Sequence, residues 1–531
     1  MRRAILLCVF FASYASAVPA HAAPGDLDPT FGFGGKVTTP SGTSADAEAL
    51  VVQPDGRIVA AGSSFGSFQR RLLVLRYKPN GKLDKTFGGD GMVHTAFAGE
   101  DADAQAVAVQ PDGRIVVAGY IGRGMGAADF VVARYKPSGR LDRSFSGDGK
   151  RIESFGEALE FAYAVVIQTD GKIVVGGSSG SGADEVFALA RYRTNGTLDP
   201  TFGSGGKVTT PVGPNAASVS ALALQADGKL IAAGLSSDGS KYRFAVVRYL
   251  RGGALDPGFG AGGKRATAVG TDDAILRAMA LQPNGKIVVG GWAIETSSTD
   301  FALARYDSGG TLDPRFGTNG TVITPTGPGG DDLFGLAVQP DGNIVAAGSL
   351  FGADQDFGLL RYTPRGTLDT TFGTNGRVRT AFEPTSNEFA SGVALQRDGR
   401  IVAAGHSGSE VALVRYLPWY PEVSVRGGSK REGDTGTSPL VFRVRLDVPP
   451  GSSEVTVRYT TAEGTAHAPQ DFRVREGVVE FTGARTLRRV KVPIVGDRRP
   501  EPNEWFRLAF SSPSYATLGQ AWATGRIIDD D

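Results

Sequence analysis

The chain has 531 residues, enough for more than one domain with a large core. Its 75 glycines and 41% hydrophobic residues favour an all-β protein with many tight turns and argue against a disordered chain. Lys and Arg number 56 against 55 acids, so net charge gives no reason to expect nucleic acid or an anionic membrane as a partner.

The N-terminus has the pattern of a secretory signal peptide. Arg2 and Arg3 precede an apolar run, and Ala20-His21-Ala22 offers a small-x-small cleavage site. We therefore predict a signal peptide at 1–22 and export to a secreted, periplasmic or cell-surface location. The run is short for a membrane span, which leaves an uncleaved anchor as the alternative and predicts no transmembrane helix in the mature chain. The single Cys8 leaves with the signal, which excludes disulfides and thiol chemistry.

One phrase organises the next 400 residues. It runs from Val51 to Gly62, and its Gln-Pro-Asp-Gly turn between apolar segments predicts a β-hairpin. The turn glycine recurs every 57 or 58 residues, a period that indicates a repeat architecture. The seven turn glycines are Gly56, Gly113, Gly171, Gly228, Gly285, Gly342 and Gly399.

Two further phrases, Arg-Tyr and Leu-Asp-x-x-Phe, also occur seven times each. One unit then holds four extended segments: a leads into Gln-Pro-Asp-Gly, b leads out, c ends in Arg-Tyr, and d follows Leu-Asp. Four short antiparallel strands per unit predict a β-propeller blade, with a solenoid as the competing architecture. The first d, at 27–40, lacks its own a to c, and the last a to c, at 391–416, lack a d. We therefore predict that these ends pair and close a ring of seven blades.

These phrases resemble the delta-60 repeat family of bacterial exported proteins. The matching text is Gln-Pro-Asp-Gly-Lys/Arg-Ile-Val-Val-Ala-Gly, Phe-Ala-Leu-Ala-Arg-Tyr and Leu-Asp-Pro-Thr-Phe-Gly, over about 25–416. The resemblance implies a propeller-like scaffold without an established common activity, and it supplies no catalytic residues.

The connections of a blade divide between two faces of the predicted propeller. The a–b and c–d turns repeat, whereas the b–c and d–a loops vary, so we name the second set the variable face and expect ligand contacts there. Its acids can attract a cation or a basic partner, or they are merely solvated. Trp292 and Tyr120 can stack on a sugar or pack over the blade edge. The acids include Glu100, Asp101, Asp103, Glu157, Asp184, Glu185, Asp238, Asp272, Asp273, Glu295, Asp331, Asp332 and Asp354.

The period stops after Tyr416, and a proline-marked junction places a boundary near 418. We therefore assign 23–417 to the propeller and 418–531 to a second domain. About seven short strands with turn signals between them predict an immunoglobulin-like β-sandwich. The predicted strands are Glu422–Arg426, Leu440–Leu446, Glu454–Tyr459, Gly477–Phe481, Leu487–Ile494, Trp505–Phe510 and Ala521–Ile528.

This second domain resembles a Calx-beta domain. The resemblance rests on Glu432-Gly433, on Val457 to Ala466, on Asp471-Phe472, on Val492 to Asp497, on Glu501 to Phe506, and on the terminal Ile-Ile-Asp-Asp-Asp. It implies Ca²⁺ as a cofactor, bound by carboxylates gathered at one end of the sandwich. The ligands it implies are Glu432, Asp471, Asp497, Glu501, Glu504, Asp529, Asp530 and Asp531.

Arg498 and Arg499 follow Asp497 where calcium-binding members have further acids, so one or two ions are expected. The alternative is a calcium-independent sandwich whose acids are turn residues or partners of these arginines.

No enzyme motif stands out. The mature chain keeps His94, His406 and His467, which follow no metal-ligand spacing, and no nucleophile elbow or phosphate loop appears. We therefore predict an exported, non-enzymatic binding protein with an extracellular protein or glycan as its ligand. The Calx-beta resemblance implies cell adhesion or cell communication. The alternatives are a polysaccharide-active enzyme using acids near the propeller axis, and a structural envelope component.

Overall fold

The computed structural model describes residues 24–530, apart from 67, 98, 123–125, 296–297, 328, 353, 384–385, 419–420, 448–450, 484 and 515. The predicted signal peptide and Asp531 lie outside the described residues. Within those residues, no helix is long and apolar enough to cross a membrane. The regular structure of the described residues is β-strand with one short 3₁₀ turn at Gly182–Asp184.

Seven antiparallel sheets, each built from strands a to d in spatial order, follow one another along the chain. The a strands neighbour one another around the ring, the last lying against the first. The a strands are Ala49–Val52 (preceded by Ser44–Ala45), Ala102–Val109, Glu160–Ile167, Ala217–Leu224, Ala274–Leu281, Asp332–Val338 and Glu388–Leu395. The b strands are Ile58–Phe65, Ile115–Gly122, Ile173–Ser179, Leu230–Ser237, Ile287–Glu295, Ile344–Phe351 and Ile401–Ser407.

The outer two strands of the seventh blade come from opposite ends of the chain and close the ring. The c strands are Arg70–Tyr77, Ala128–Tyr135, Val186–Tyr192, Tyr242–Tyr249, Ser298–Tyr306, Gln355–Tyr362 and Glu410–Tyr416. The d strands are Met92–Thr95, Lys150–Glu153, Lys207–Thr210, Lys264–Thr267, Thr321–Thr324, Arg377–Thr380 and, from the N-terminus, Lys36–Thr39. Lys36–Thr39 pairs antiparallel with Glu410–Tyr416, Lys36 opposite Val414. The predicted seven-bladed propeller, closed by its N-terminal strand, is confirmed.

Each b strand is apolar without alternation because both of its faces are buried. Val59 and Ala61 pack in a core shared with the second blade, whereas Ile58 and Ala60 pack in a core shared with the seventh. All four are fully buried. The apolar run that begins each b strand therefore packs against the neighbouring blades on both sides.

The sevenfold Arg-Tyr phrase also joins neighbouring blades. Arg76 pairs with the Asp84 carboxylate at 2.9 Å, lies over the ring of Phe87, and donates to the Pro137 carbonyl of the next blade. Tyr77 contacts the previous d strand through a 2.8 Å hydrogen bond to Thr39. The Arg–Asp pair recurs in every blade. A residue that makes the same ion pair in all seven blades is structural.

Each a strand is broken by a register shift, or β-bulge, at the same place. In the second blade Ala104 pairs with Gly119 and Ala106 with Ala118, which leaves Gln105 as the extra residue. Five other blades show equivalent shifts, and in the first blade residues 46–48 interrupt the strand. We name the seven extra residues the axial ring: Glu48, Gln105, Tyr163, Ser220, Arg277, Phe334 and Ser391.

The fifth residue of every b strand is a glycine that makes this bulge sterically possible. A Cβ on Gly119 would lie 1.8 Å from the Asp103 carbonyl oxygen, and the other six equivalents would meet a carbonyl at 1.7–2.2 Å. Only glycine therefore fits beside the bulge. The seven glycines are Gly62, Gly119, Gly177, Gly234, Gly291, Gly348 and Gly405.

The C-terminal domain is a sandwich of two sheets around one apolar core, as predicted. One sheet has the order Leu487–Gly496, Gly436–Leu446, Glu422–Arg426, Thr517–Leu518. The other has the order Ser429–Arg431, Trp522–Ile528, Glu504–Ser514, Gly451–Ala462, Glu476–Gly483. The domain has two strands more than predicted. The first predicted strand is followed by a separate short strand in the other sheet, and the short Thr517–Leu518 pairs in parallel with the first strand. The domain limits assigned from the sequence stay predictions.

Candidate calcium centre and ligand face

The division of the first sandwich strand brings the ends of two distant segments together. Ser429–Arg431 pairs in parallel with Arg526–Ile528, and the Glu432 N–H donates to the Ile528 carbonyl at 3.2 Å. Parallel strands end at the same edge of a sheet, so Glu432 lies beside the acids that follow Ile528. Asp530 is fixed there because its carboxylate accepts the Gly433 N–H at 2.9 Å.

The neighbouring sheet adds Asp497 to the same edge. Asp497 directly follows the strand Leu487–Gly496. A Cβ on Gly496 would lie 1.9 Å from the Gly433 carbonyl oxygen, so glycine is needed for the two chain segments to approach.

The second part of the cluster joins Asp471, Glu501 and Glu504. Each offers a carboxylate oxygen, and these oxygens lie within 4.8 Å of one another. Asp471 is held in place, accepting the His467 N–H at 2.6 Å. Burial, followed by a hydrogen bond and the charge of Asp471 and then the charge of Glu501, raises the pKa of Glu504 to about 7.

Glu432 is a buried acid of this cluster. It is only 9% exposed, and its Oε1 has no hydrogen-bond partner among the described residues. Burial, and then the charges of Asp529, Asp497, Glu501 and Asp530, raise the pKa of Glu432 to about 7. Glu501 acts on both Glu432 and Glu504, which makes the acids one continuous cluster.

Seven of the eight acids predicted as calcium ligands therefore lie at one end of the sandwich, and Asp531 falls outside the described residues. Asp529 is positioned by the Glu501 N–H, which donates to its carboxylate at 2.6 Å. Arg498 points to Asp434, 3.6 Å away, and both side chains are largely exposed. The oxygen-only donor set and the orphaned carboxylate oxygen fit a hard cation such as Ca²⁺.

Several acids of the propeller's variable face have structural partners. Asp101 accepts the Arg70 N–H of the preceding blade at 2.7 Å, and Asp273 accepts the Tyr242 N–H in the same way. Tyr120 packs edge-on against Phe161 of the next blade, with ring centroids 4.9 Å apart. These side chains hold blades together.

The sequence reasoning missed the axial ring. All seven of its residues line one cavity of about 520 Å³, together with Trp292 from a b strand. A signal was available: at a spacing of 57 or 58 residues, this position changes from blade to blade while its neighbours repeat.

Family comparisons agree with both halves of this architecture. The model of the domain of unknown function DUF5122 β-propeller matches residues 53–87, 110–145, 168–202, 225–259, 282–316 and 339–372. The Calx-beta domain model matches residues 431–531. The chain contains a DUF5122 β-propeller region and a Calx-beta domain. Each DUF5122 match runs from the Gln of one a–b turn to the Leu-Asp-x-x-Phe phrase, so the seventh blade, divided between the chain ends, has no continuous segment to match.

Similar solved structures cover either 21% or about 70% of the chain. The apo form of the Calx CBD1 domain is 24% identical, covering 21% of this chain and 100% of that one, with a TM-score of 0.19. The polysaccharide lyase Uly1 is 12% identical, covering 70% and 90%, with a TM-score of 0.37. A PL25 ulvan lyase bound to -[GlcA(1-4)Rha3S]- is 12% identical, covering 72% and 96%, with a TM-score of 0.36. No curated protein matches the chain. Likenesses this weak say nothing about function.

Proposed function

We propose that this is an exported, non-enzymatic binding or adhesion protein, in which the Calx-beta domain binds Ca²⁺ and the propeller presents its variable face to an extracellular ligand. A propeller joined to a Calx-beta domain supports a binding or scaffold role. The observation that carries the calcium assignment is the buried Glu432 carboxylate, whose Oε1 has no hydrogen-bond partner in the described part of the chain and lies near four other acids. Such a group is costly unless a cation neutralises it.

The residues that would hold the ion form two overlapping sets. Glu432 faces Asp497, Asp529 and Asp530, while Asp471 and Glu504 converge with Glu501, which also acts on the first set. Ca²⁺ takes six to eight oxygen ligands, including backbone carbonyls and water. The two sets support one or two ions, and binding would lock the terminal strand Trp522–Ile528 against the rest of the sandwich.

Calorimetric titration of the mature chain with Ca²⁺ tests this proposal. We expect saturable binding with a dissociation constant of about 10⁻⁴–10⁻³ M, the range of extracellular calcium modules. Glu501→Gln should weaken binding at least about tenfold, since Glu501 belongs to both sets. Glu476→Gln, an exposed acid of the same domain, is the matched control and should leave it unchanged. Absence of heat at millimolar Ca²⁺ would overturn the calcium assignment.

A polysaccharide-active enzyme is the second candidate, because an acid lies at the propeller axis. Burial, and then the charges of Asp46 and Asp103, raise the pKa of Glu48 to about 7, a value suited to a general acid or base at neutral pH. Release of shorter fragments from a polysaccharide panel, lost in Glu48→Gln, would favour this candidate over the non-enzymatic one.

A further inference from the structure

The residue of the axial ring differs between most of the seven blades. The residue before it is buried and apolar in every blade, and the residue after it is alanine or glycine in every blade. Between these constant neighbours stand Glu, Gln, Tyr, Ser, Arg, Phe and Ser. Packing of the blade therefore constrains the flanking positions and leaves the ring residue unconstrained.

The bulge directs the side chains of the axial ring into the same cavity. Side chains on a regular strand alternate between its two faces, and an extra residue breaks that alternation and re-aims one of them. Repeated seven times, the bulge places one side chain per blade in the same axial cavity of about 520 Å³. That volume is in the range of small-ligand sites.

The chemistry of the cavity combines flat apolar surfaces with hydrogen-bonding groups of both kinds. Phe334, Tyr163 and Trp292 contribute aromatic rings. Gln105 donates and accepts, the Ser220 and Ser391 hydroxyls do the same, and carboxylates accept. A saccharide has the complementary pattern, because its C–H face is apolar and its rim of hydroxyls both donates and accepts.

The charges in and around the cavity disfavour an anionic ligand. Glu48, Glu185 and Asp273 line it, and among the described lining residues Arg277 is the single cation. Burial raises the pKa of Asp332, and the Arg277 charge partly opposes that rise. The same charge acts on Tyr163. A uronic-acid chain would therefore meet more negative charge than positive.

We propose that the axial cavity binds an uncharged saccharide, with the axial ring as its contact surface. This deepens, and rests on, the proposed role of the variable face in ligand binding. The aromatic residues of the axial ring stack on the sugar, and its Gln, Ser, Arg and Glu residues bind the sugar hydroxyls. Seven side chains of six different types on a symmetric scaffold give an asymmetric site, as a directional sugar requires.

The repeat supplies its own matched variants. Serine already occupies the ring in the fourth and seventh blades, so Arg277→Ser and Phe334→Ser preserve the bulge and the fold. The control is Arg315→Ser, an exposed arginine in the repetitive c–d connection of the opposite face. Each variant of the mature chain is screened against a panel of neutral and uronic-acid oligosaccharides, and hits are titrated calorimetrically.

We expect neutral oligosaccharides to bind, each ring variant to weaken that binding at least about tenfold, and the control to match the wild type. Three results would overturn the inference: no binding to any neutral oligosaccharide, preferential binding of uronic-acid chains, or binding that the ring variants leave intact. Ca²⁺ titration of the same samples separates the two proposals. If no saccharide binds but Ca²⁺ still does, only this inference is overturned. If Ca²⁺ does not bind, the calcium assignment is overturned.

Discussion

Replacing Asp28 with asparagine should loosen the strand that closes the ring. Asp28 is 1% exposed and pairs with Arg415 at 2.9 Å and with Arg400 at 2.7 Å. Burial opposes its ionisation, yet hydrogen bonds from Thr30 and the two guanidinium groups hold the pKa of Asp28 below its usual value. In six blades a turn links c to d covalently, whereas here the partners come from opposite ends of the chain.

The expected cost follows from what Arg415 loses. Removing one partner of a buried ion pair costs about 3–5 kcal/mol, because the other charge stays buried. Arg415 keeps its contacts with the Thr30 hydroxyl and the Phe31 ring, and asparagine keeps an acceptor, so about 3 kcal/mol is expected. If the substitution lowers the free energy of local opening of Lys36–Thr39 by this amount, the open population of that strand rises roughly a hundredfold.

Hydrogen exchange followed by mass spectrometry measures this opening directly. Peptides covering Lys36–Thr39 and Glu410–Tyr416 should exchange roughly a hundredfold faster in Asp28→Asn. Asp142→Asn breaks the equivalent pair in the second blade, where c and d remain covalently linked. It should spare Lys36–Thr39. Acceleration below about tenfold at Lys36–Thr39, or equal acceleration there in both variants, would refute the closure argument.

Three further predictions concern single sites. Glu432→Gln removes a buried charge that has no cationic partner among the described residues. At pH 8 it should therefore raise the Tm of the metal-free Calx-beta domain by roughly 4 °C and weaken Ca²⁺ binding, both measured calorimetrically. A lower Tm would contradict this. Glu48 has a raised pKa, so the stability of its protonated form is present below the usual 4.5 and is lost as pH rises through about 7. The Tm of Glu48→Gln relative to wild type should therefore rise between pH 5 and pH 8, whereas that of the exposed control Glu383→Gln should not. A Tm difference between Glu48→Gln and wild type that stays constant with pH would contradict the raised pKa of Glu48. Gly62→Ala, whose Cβ would meet the Asp46 carbonyl at 2.2 Å, should lower Tm in differential scanning fluorimetry. Gly66→Ala meets nothing closer than 3.7 Å and should not, and equal effects would exclude the bulge as the cause.

Much of the propeller was predictable because its information is local and repeated. The Gln-Pro-Asp-Gly turn fixes each hairpin between neighbouring segments, and the apolar b run requires burial on both faces. The incomplete units at 27–40 and 391–416 then complement each other, which is enough to predict closure. Residues that recur in every blade, such as the Arg of Arg-Tyr, could be recognised as structural for the same reason.

The axial ring was not predictable in this way. Read along a single a strand, Gln105 is one more residue in an alternating pattern. Comparison of the seven repeats shows that its position varies, but not that its side chain faces the axis. Its orientation results from a register shift against the b strand, made possible by Gly119. Register is a relation between two strands, so it is read from the paired sheet and not from either segment alone.

The sequence by itself determined how many blades there are, how the ring closes and which acids resemble calcium ligands. Tertiary structure decided which side chains meet. Glu432 and Asp529 are nearly a hundred residues apart, and they converge because two short parallel strands end at the same sheet edge. The ring residues converge because seven bulges turn them toward one axis. Local pattern specifies the elements, but convergence of distant side chains depends on pairing and register, which only the folded chain fixes.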